Sequence, residues 1–326
     1  WVLLYNVRSR LVNEGEPAEF AGTGRTFRIF RKRGENFFAK KFEVFYNGEK
    51  DDMKNRDVNR MTKALGLRRK IIGVRFLYFK QEYDKLAVEE YGRKTSYCMM
   101  VKHAMEDNCF KAKLENFGCR CALEALGLDE EMECVESGQR YYSLNLYESR
   151  AVAKDVTKDI SRIKQKIYGV QLGPLEQLED ADVAIFMVNA YQLMRVVQGY
   201  TYKWGIPKNL YMAGNQGVCA DLTAGPFEKN DMNFSVLCAG TRKMCAWEDD
   251  EMGVGLPIHQ FEPLTEGIIQ TMNYIDYPTQ KDQISERLDD PMELGVAVDK
   301  NVHYGKLGKP YVRPSVYEQL KNGELE

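Results

Sequence analysis

The alternation of apolar and polar positions divides the chain into stretches of different period. Near the start, Thr26-Phe27-Arg28-Ile29-Phe30-Arg31 and Phe42-Glu43-Val44-Phe45-Tyr46 both repeat every second residue, with Arg33-Gly34-Glu35-Asn36 as turn material between them. Successive strand side chains point to opposite faces, so this pattern predicts a β-hairpin extension over residues 1–55. Its polar positions are rich in Arg and Lys, which suits a solvated face or a docking surface.

From residue 56 the period lengthens. Asn59 to Leu67 reads as a helix closed by Gly66 and the basic run Arg68-Arg69-Lys70, and Ile71 to Phe79 as a strand. Ser96 to Met105 reads as a helix capped by Ser96, Asn116-Phe117-Gly118-Cys119 as a break, and Ala122 to Leu126 as a helix ending at Gly127. Tyr141 to Leu146 is expected as a strand, and Ser149 to Ile163 as an amphipathic helix capped by Ser149.

Further along, Val183 to Val188 is a continuous apolar run of the kind found in strands buried on both faces. Tyr191 to Tyr202 follows as a helix and Asn209 to Met212 as a short strand. Asn215-Gln216-Gly217-Val218-Cys219 is similar to Asn116-Phe117-Gly118-Cys119. Ser235 and Arg242 stand at the spacing of Ser143 and Arg150. The prediction is an α/β fold of two related strand–helix halves, about 56–165 and 166–276, arising by internal duplication. Chance similarity of two α/β segments is the alternative. From Tyr277 to Glu326 prolines at 278, 291, 310 and 314 interrupt a polar stretch, which makes an irregular tail. Tyr304, Tyr311, Val312 and Val316 would anchor it to another surface. A wrapped tail and a basic hairpin together suggest a homo-oligomer or a larger complex.

Composition narrows the function classes. With 326 residues, 44% hydrophobic and 29% charged, the chain can bury a large core. A formal net charge of -2 and a pI near 6.1 argue against nucleic acid as partner. No apolar run is long enough for a membrane span. The chain begins with Trp1 rather than Met, which implies a processed or partial chain, a lost signal peptide being one reading. Eight cysteines in a chain this long are not a disulfide scaffold, and with 14 methionines they fit a reducing or anaerobic cytoplasm.

Four thiols sit where apolar segments break: Cys98, Cys119, Cys219 and Cys238. Thiolates are preferred ligands for zinc, copper(I) and iron–sulfur clusters. There is no C-x-x-C here, only the less diagnostic Cys119-Arg120-Cys121, and free cysteine is also a common small core residue. A metal site from separate loops and a single reactive thiolate at Cys98 or Cys219 both stay open. Beside them Asn215 and Arg242 are candidate cofactor-binding residues, Arg242 as an anion anchor or a plain surface ion-pair partner. His103, His259 and His303 form no ligand motif. Gly22-Thr23-Gly24 and Gly253-Val254-Gly255-Leu256-Pro257 fit no nucleotide-binding loop.

An ordered set of motifs resembles the domain-of-unknown-function family 169, a group common in anaerobic bacteria and archaea. The set runs from Leu65-Gly66-Leu67 and Gly73-Val74-Arg75-Phe76 through Tyr97-Cys98, Gly118-Cys119, Leu126-Gly127 and Gly173-Pro174-Leu175. It continues with Asp182-Val183, Gln192-Leu193-Met194-Arg195, Cys219-Ala220-Asp221 and Cys238-Ala239-Gly240-Thr241-Arg242. The resemblance spans about Met61 to Ile275 and implies that Cys98, Cys119, Cys219 and Cys238 are the recurrent thiols. By the same resemblance Cys109, Cys121, Cys134 and Cys245 are expected to be particular to this chain. It implies no reaction, and favours a thiolate-ligated metal, an iron–sulfur cluster above all, in redox or assembly work. The alternatives are a small-molecule enzyme with a cysteine nucleophile in a pocket between the halves, and an accessory subunit of a larger complex.

Overall fold

A computed structural model of the chain describes residues 18–19, 26–27, 50–130 and 133–271. The chain forms two compact units, residues 1–53 and 54–326. In the first, strands β1 (Ala18–Glu19) and β2 (Thr26–Phe27) pair antiparallel, with Ala18 opposite Phe27 and Glu19 opposite Thr26. The expected partner strand Phe42–Tyr46 and the tail 277–326 lie outside the described residues.

The second unit is built on a six-stranded sheet. Its strands are β3 (Ile72–Leu77), β4 (Phe110–Lys113), β5 (Gly169–Pro174), β6 (Val183–Val188), β7 (Asn233–Ser235) and β8 (Met252–Pro257). They lie in the order β4-β5-β3-β6-β8-β7, every neighbouring pair antiparallel. At the centre β3 meets β6 with Gly73 opposite Ala184. From that centre outward, each side runs first, third and second strand of its own stretch of chain.

Both faces of the sheet are covered, which is why Val183–Val188 reads as an unbroken apolar run although its ladder is antiparallel. Ala184, Phe186, Val188, Val254 and Leu256 pack with residues of helices Lys50–Leu65, Ala190–Trp204 and Phe261–Gln270. Ile72, Val74, Phe76, Val183, Ile185 and Met187 pack on the other face, with Tyr97, Met100, Val101, Leu123 and Val218. A continuous hydrophobic layer on each face is the main stabilising term, at about 25 cal/mol per Å² of apolar surface buried.

Several helix starts follow the sequence signals. Ser96 Oγ accepts from the Met99 amide at 3.4 Å and Ser149 Oγ from the Val152 amide at 3.2 Å, each satisfying a donor the first turn leaves free. Asn189 and Gln192 form a reciprocal capping box at 2.9 and 2.8 Å. Gln192 Nε2 also donates to the carbonyls of Leu65 and Gly66 at 3.0 Å, tying off the end of the first long helix.

Two expected strands are not strands. Of Tyr141–Leu146, residues 141–143 end a short helix, Gln139–Ser143, entered through Gly138 at φ 74°, and residues 144–146 lie in the turn after it. Tyr141 is buried whereas Tyr142, Leu144 and Leu146 are exposed, so the apolar residues do not share one buried face. Asn209–Met212 has no ladder partner. Instead Asn233 Oδ1 accepts from the Tyr211 amide at 3.2 Å and Asn233 Nδ2 donates to the Tyr211 carbonyl at 2.8 Å, so one side-chain amide does the work of a neighbouring strand.

Candidate functional site

The segment that reads as an Asn-x-Gly break is a fully buried π-helix, Gly217–Ala224. Its backbone lies directly on β8: a Cβ on Gly255 would stand 2.0 Å from the Leu222 carbonyl oxygen, and one on Gly253 2.1 Å from Leu222 Cδ1. The glycines of Gly253-Val254-Gly255 therefore serve close packing, not a phosphate loop. Thr223 Oγ1 donates to the Val218 carbonyl at 2.7 Å and lies 3.1 Å from the Tyr97 hydroxyl, binding this helix to Tyr97–Met105.

Around the π-helix the structure gathers the four thiols singled out in the sequence, and two more. Cys98 is the second residue of Tyr97–Met105, and Cys119 directly precedes Arg120–Ala125. Cys219 lies in the first turn of the π-helix, and Cys238 directly precedes Ala239–Cys245. Burial pushes the Cys219 thiol well up, and Cys98, Cys238 and Cys121 add to the effect, so all lie within electrostatic range of it. Cys119 and Cys219 stand in the same relation.

The additional thiols, Cys121 and Cys245, pair with the others. The Cys98 thiol is held below the usual thiol range by the neighbouring Cys245, with help from the Thr241 and Ser96 hydroxyls. Likewise Cys121 is held low by the neighbouring Cys119, helped by the Tyr141 hydroxyl and the charge of Arg140. Cys245 and Cys119 are pushed up in turn. A chain of polar contacts joins the two sides: Cys219 Sγ to Gln216 Oε1 at 3.9 Å, Gln216 Nε2 to the Tyr141 hydroxyl at 2.8 Å, and that hydroxyl to Cys121 Sγ at 3.5 Å. Tyr141 and Cys245 carry no motif, Cys121 shows in the sequence only through Cys119-Arg120-Cys121, and Gln216 only within Asn215-Gln216-Gly217.

The turn before Cys238 is held by a buried acid. Asp221 Oδ2 accepts from Ser235 Oγ at 2.7 Å, and Ser235 Oγ accepts from the Leu237 amide at 3.0 Å. This fixes Leu237 at φ 69°, a left-handed backbone that non-glycine residues rarely adopt. Burial pushes the Asp221 carboxyl up to about 7. The Cys238 thiol is also raised by burial, against the opposing backbone N–H groups of Gly217, Thr241 and Gly240.

The other candidate residues fall as follows. Asn215 Nδ2 donates to the Tyr147 hydroxyl at the edge of the thiol layer. The Arg242 guanidinium donates to backbone carbonyls, to Val236 at 3.0 and 3.2 Å, Glu248 at 3.2 Å and Glu251 at 2.8 Å, which staples the Ala239–Cys245 helix to the turn that follows. Cys109 lies on the opposite face of the sheet, 3.6 Å from Gln171 Nε2, and Cys134 is exposed. His103 binds Tyr91 at 2.5 Å and Arg93 at 3.1 Å, and His259 lies in the short helical turn after β8.

Among the described residues, no three His, Cys, Asp or Glu groups stand as ligands of one metal ion. A single tetrahedral zinc, with Zn–S near 2.3 Å, draws its sulfurs to about 3.8 Å of one another. A polynuclear core spreads its thiolates wider, because bridging sulfides lie between the metals.

Cys98, Cys119, Cys121, Cys219 and Cys245 thus pack in the hydrophobic cluster on one face of the all-antiparallel sheet. Residues 60–267 match the model of the family described as uncharacterised ArCR, domain of unknown function 169, and the chain belongs to that family. It is similar to Uncharacterized protein MJ0308 of Methanocaldococcus jannaschii, with 22% identity over 215 residues, 65% of this chain and 92% of the relative. No solved structure matches the chain. Among the described residues, no helix is long and apolar enough to cross a membrane.

Proposed function

We propose that the chain is a thiolate-ligated metal protein that holds an iron–sulfur cluster on Cys98, Cys119, Cys219 and Cys238, in redox or assembly work in a reducing cytoplasm. The observation that carries this reading is their convergence: Cys98, Cys119 and Cys238, from three other helix starts, lie within electrostatic range of Cys219. Thiolates crowded together repel, and a bound polynuclear cation offsets that cost. Elemental analysis and absorbance of anaerobically purified protein test it: bound iron with a broad band near about 400 nm is expected, and protein free of iron after reconstitution counts against it.

The strand order supports an internal duplication, with a register different from the sequence reading. Taking β3, β4, β5 against β6, β7, β8 places Cys98 with Cys219 and Cys119 with Cys238. Gly169-Val170-Gln171-Leu172-Gly173-Pro174 then matches Gly253-Val254-Gly255-Leu256-Pro257, each followed by a short 3-10 turn ending in glutamine. Each half thus supplies two thiols in the same structural order, and the boundary lies between Pro174 and Val183.

One observation favours a second reading, a small-molecule enzyme with a cysteine nucleophile. Cys98 is half-buried with its thiol held low, whereas Cys219 is buried with its thiol raised, so the nucleophile would be Cys98. One unusually fast thiol that is indifferent to chelator supports it. Four slow thiols released together by chelator support the cluster.

A further inference from the structure

The basic run Arg68-Arg69-Lys70 has no part in the thiol site, and it lines a cavity of its own. On the helix Lys50–Leu65, Asn55, Asn59 and Thr62 stand at i, i+4 and i+7 with Val58 between them, so the four share one stripe. The chain reverses at Gly66, φ 63°, where the Leu67 amide bonds back to the Thr62 carbonyl at 3.0 Å. Leu67 to Ile71 then joins the helix stripe in lining a cavity of 450 Å³. That volume falls in the range of small-molecule sites, about 300–1,000 Å³. Val58 and Ile71 belong to the hydrophobic cluster across the sheet from the thiols, and Leu67 packs against it.

The charged groups on the lining are unequally matched. Arg68 Nη2 donates to Asp250 at 2.7 Å, Arg69 Nε and Nη2 to Glu251 at 2.6 and 3.0 Å, and Lys70 Nζ to Asp107 at 2.6 Å. Asp250, Glu251 and Asp107 hold these side chains but do not line the cavity. Glu176 does, 3.5 Å from Lys70, so three cations against one acid leave two positive charges in excess on the lining. The Arg69 guanidinium is also stacked on Trp247, 5.0 Å from the ring centre, which fixes its plane. Among the described residues, Nε and Nη1 of Arg68 and Nη1 of Arg69 donate to no other group.

We propose that this cavity binds a small organic carboxylate with an apolar chain. The carboxylate takes the open guanidinium donors of Arg68 and Arg69, and the chain lies against Val58, Leu67 and Ile71. Guanidinium N–H groups match a carboxylate in both charge and geometry. An anion without a chain leaves the apolar lining uncovered, and a chain without an anion leaves the surplus charge unmet. The site goes beyond the cluster reading and shares no residue with it, so either can fail alone.

The test is calorimetric titration of the full-length chain with sodium octanoate, 1-octanol and sodium acetate. Octanoate is expected to bind about tenfold more tightly than octanol, the difference that charge-assisted hydrogen bonds make. Acetate, which lacks the chain, should bind at least about a hundredfold more weakly than octanoate. Arg68 and its partner Asp250 are both about half exposed, so R68Q should fold. It is expected to weaken octanoate about tenfold and to leave octanol unchanged. R69M is a poorer probe, because it takes the guanidinium from the buried Glu251. N59F, at an exposed position on the lining, should fill the cavity and weaken octanoate and octanol alike. Urea midpoints confirm that both variants fold. Octanoate binding no tighter than that of octanol, or unchanged in either folded variant, overturns the proposal. Iron content of the same samples, measured in parallel, reports the cluster reading separately.

Discussion

Gly217 lies against the backbone that leads into Cys238: a Cβ there would stand 2.8 Å from Leu237 Cα and 2.9 Å from the Cys238 nitrogen. The contact sets the separation of the Cys219 helix from the Cys238 turn. Both neighbours are main chain, so no flexible side chain can yield. G217A is expected to cost about 1–3 kcal/mol in urea unfolding and to speed alkylation of Cys238. At Gly92 a Cβ meets nothing within 4 Å. G92A is the control, expected within about 0.5 kcal/mol of wild type.

Asp221 gives the fold a pH dependence of definite sign. Its carboxyl is raised to about 7 by burial, above the value near 3.9 of an unfolded chain. Between those two values the folded state binds the extra proton. Stability therefore falls as pH rises through that window, on the order of 4 kcal/mol in all, and this contribution is level above it. D221N should lose that slope while keeping an acceptor for Ser235. Urea midpoints at acidic, intermediate and neutral pH check this. An unchanged slope in D221N would assign the dependence elsewhere.

Arg195 holds the opposite face of the sheet. It is 1% exposed, and its guanidinium donates to the Ile268 carbonyl at 2.7 Å, the Thr271 carbonyl at 2.8 Å and Gln198 Oε1 at 3.0 Å. R195M fills the volume but strands two carbonyls at a helix end, for an expected loss of about 2–4 kcal/mol. The thiols lie across the sheet, so Cys98 alkylation in the folded variant should match wild type. A changed Cys98 rate with unchanged stability would contradict the separation of the two layers.

The legible parts of the fold were those where local chemistry and packing agree. Ser96 and Ser149 cap the helices their positions predict, and Val183–Val188 is a central strand because both its faces are covered. Where a long-range partner decides, the local pattern misleads. Asn209–Met212 has strand-like residues, but the side chain of Asn233 takes its hydrogen bonds. The π-helix at Gly217–Ala224 depends on Gly253 and Gly255, distant in sequence, leaving room for its backbone.

The candidate site was half legible in the same sense. Cys98, Cys119, Cys219 and Cys238 stand at helix starts, and helix starts can be read from breaks in the apolar pattern. Cys121 and Cys245 lie inside helices, and their roles come only from the thiols opposite them. The Asn-x-Gly likeness joins the Cys119 and Cys219 segments, whereas the duplication proposed from the strand order would join Cys119 with Cys238.

The most direct test of the central claim is iron bound per chain after anaerobic reconstitution with iron and sulfide, in wild type and in single serine variants. Wild type, C109S and C134S should retain iron and acid-labile sulfide through desalting, whereas C98S, C119S, C219S and C238S should each lose most of it. Wild-type protein that retains no iron, or full retention in all four of those variants, would contradict the account.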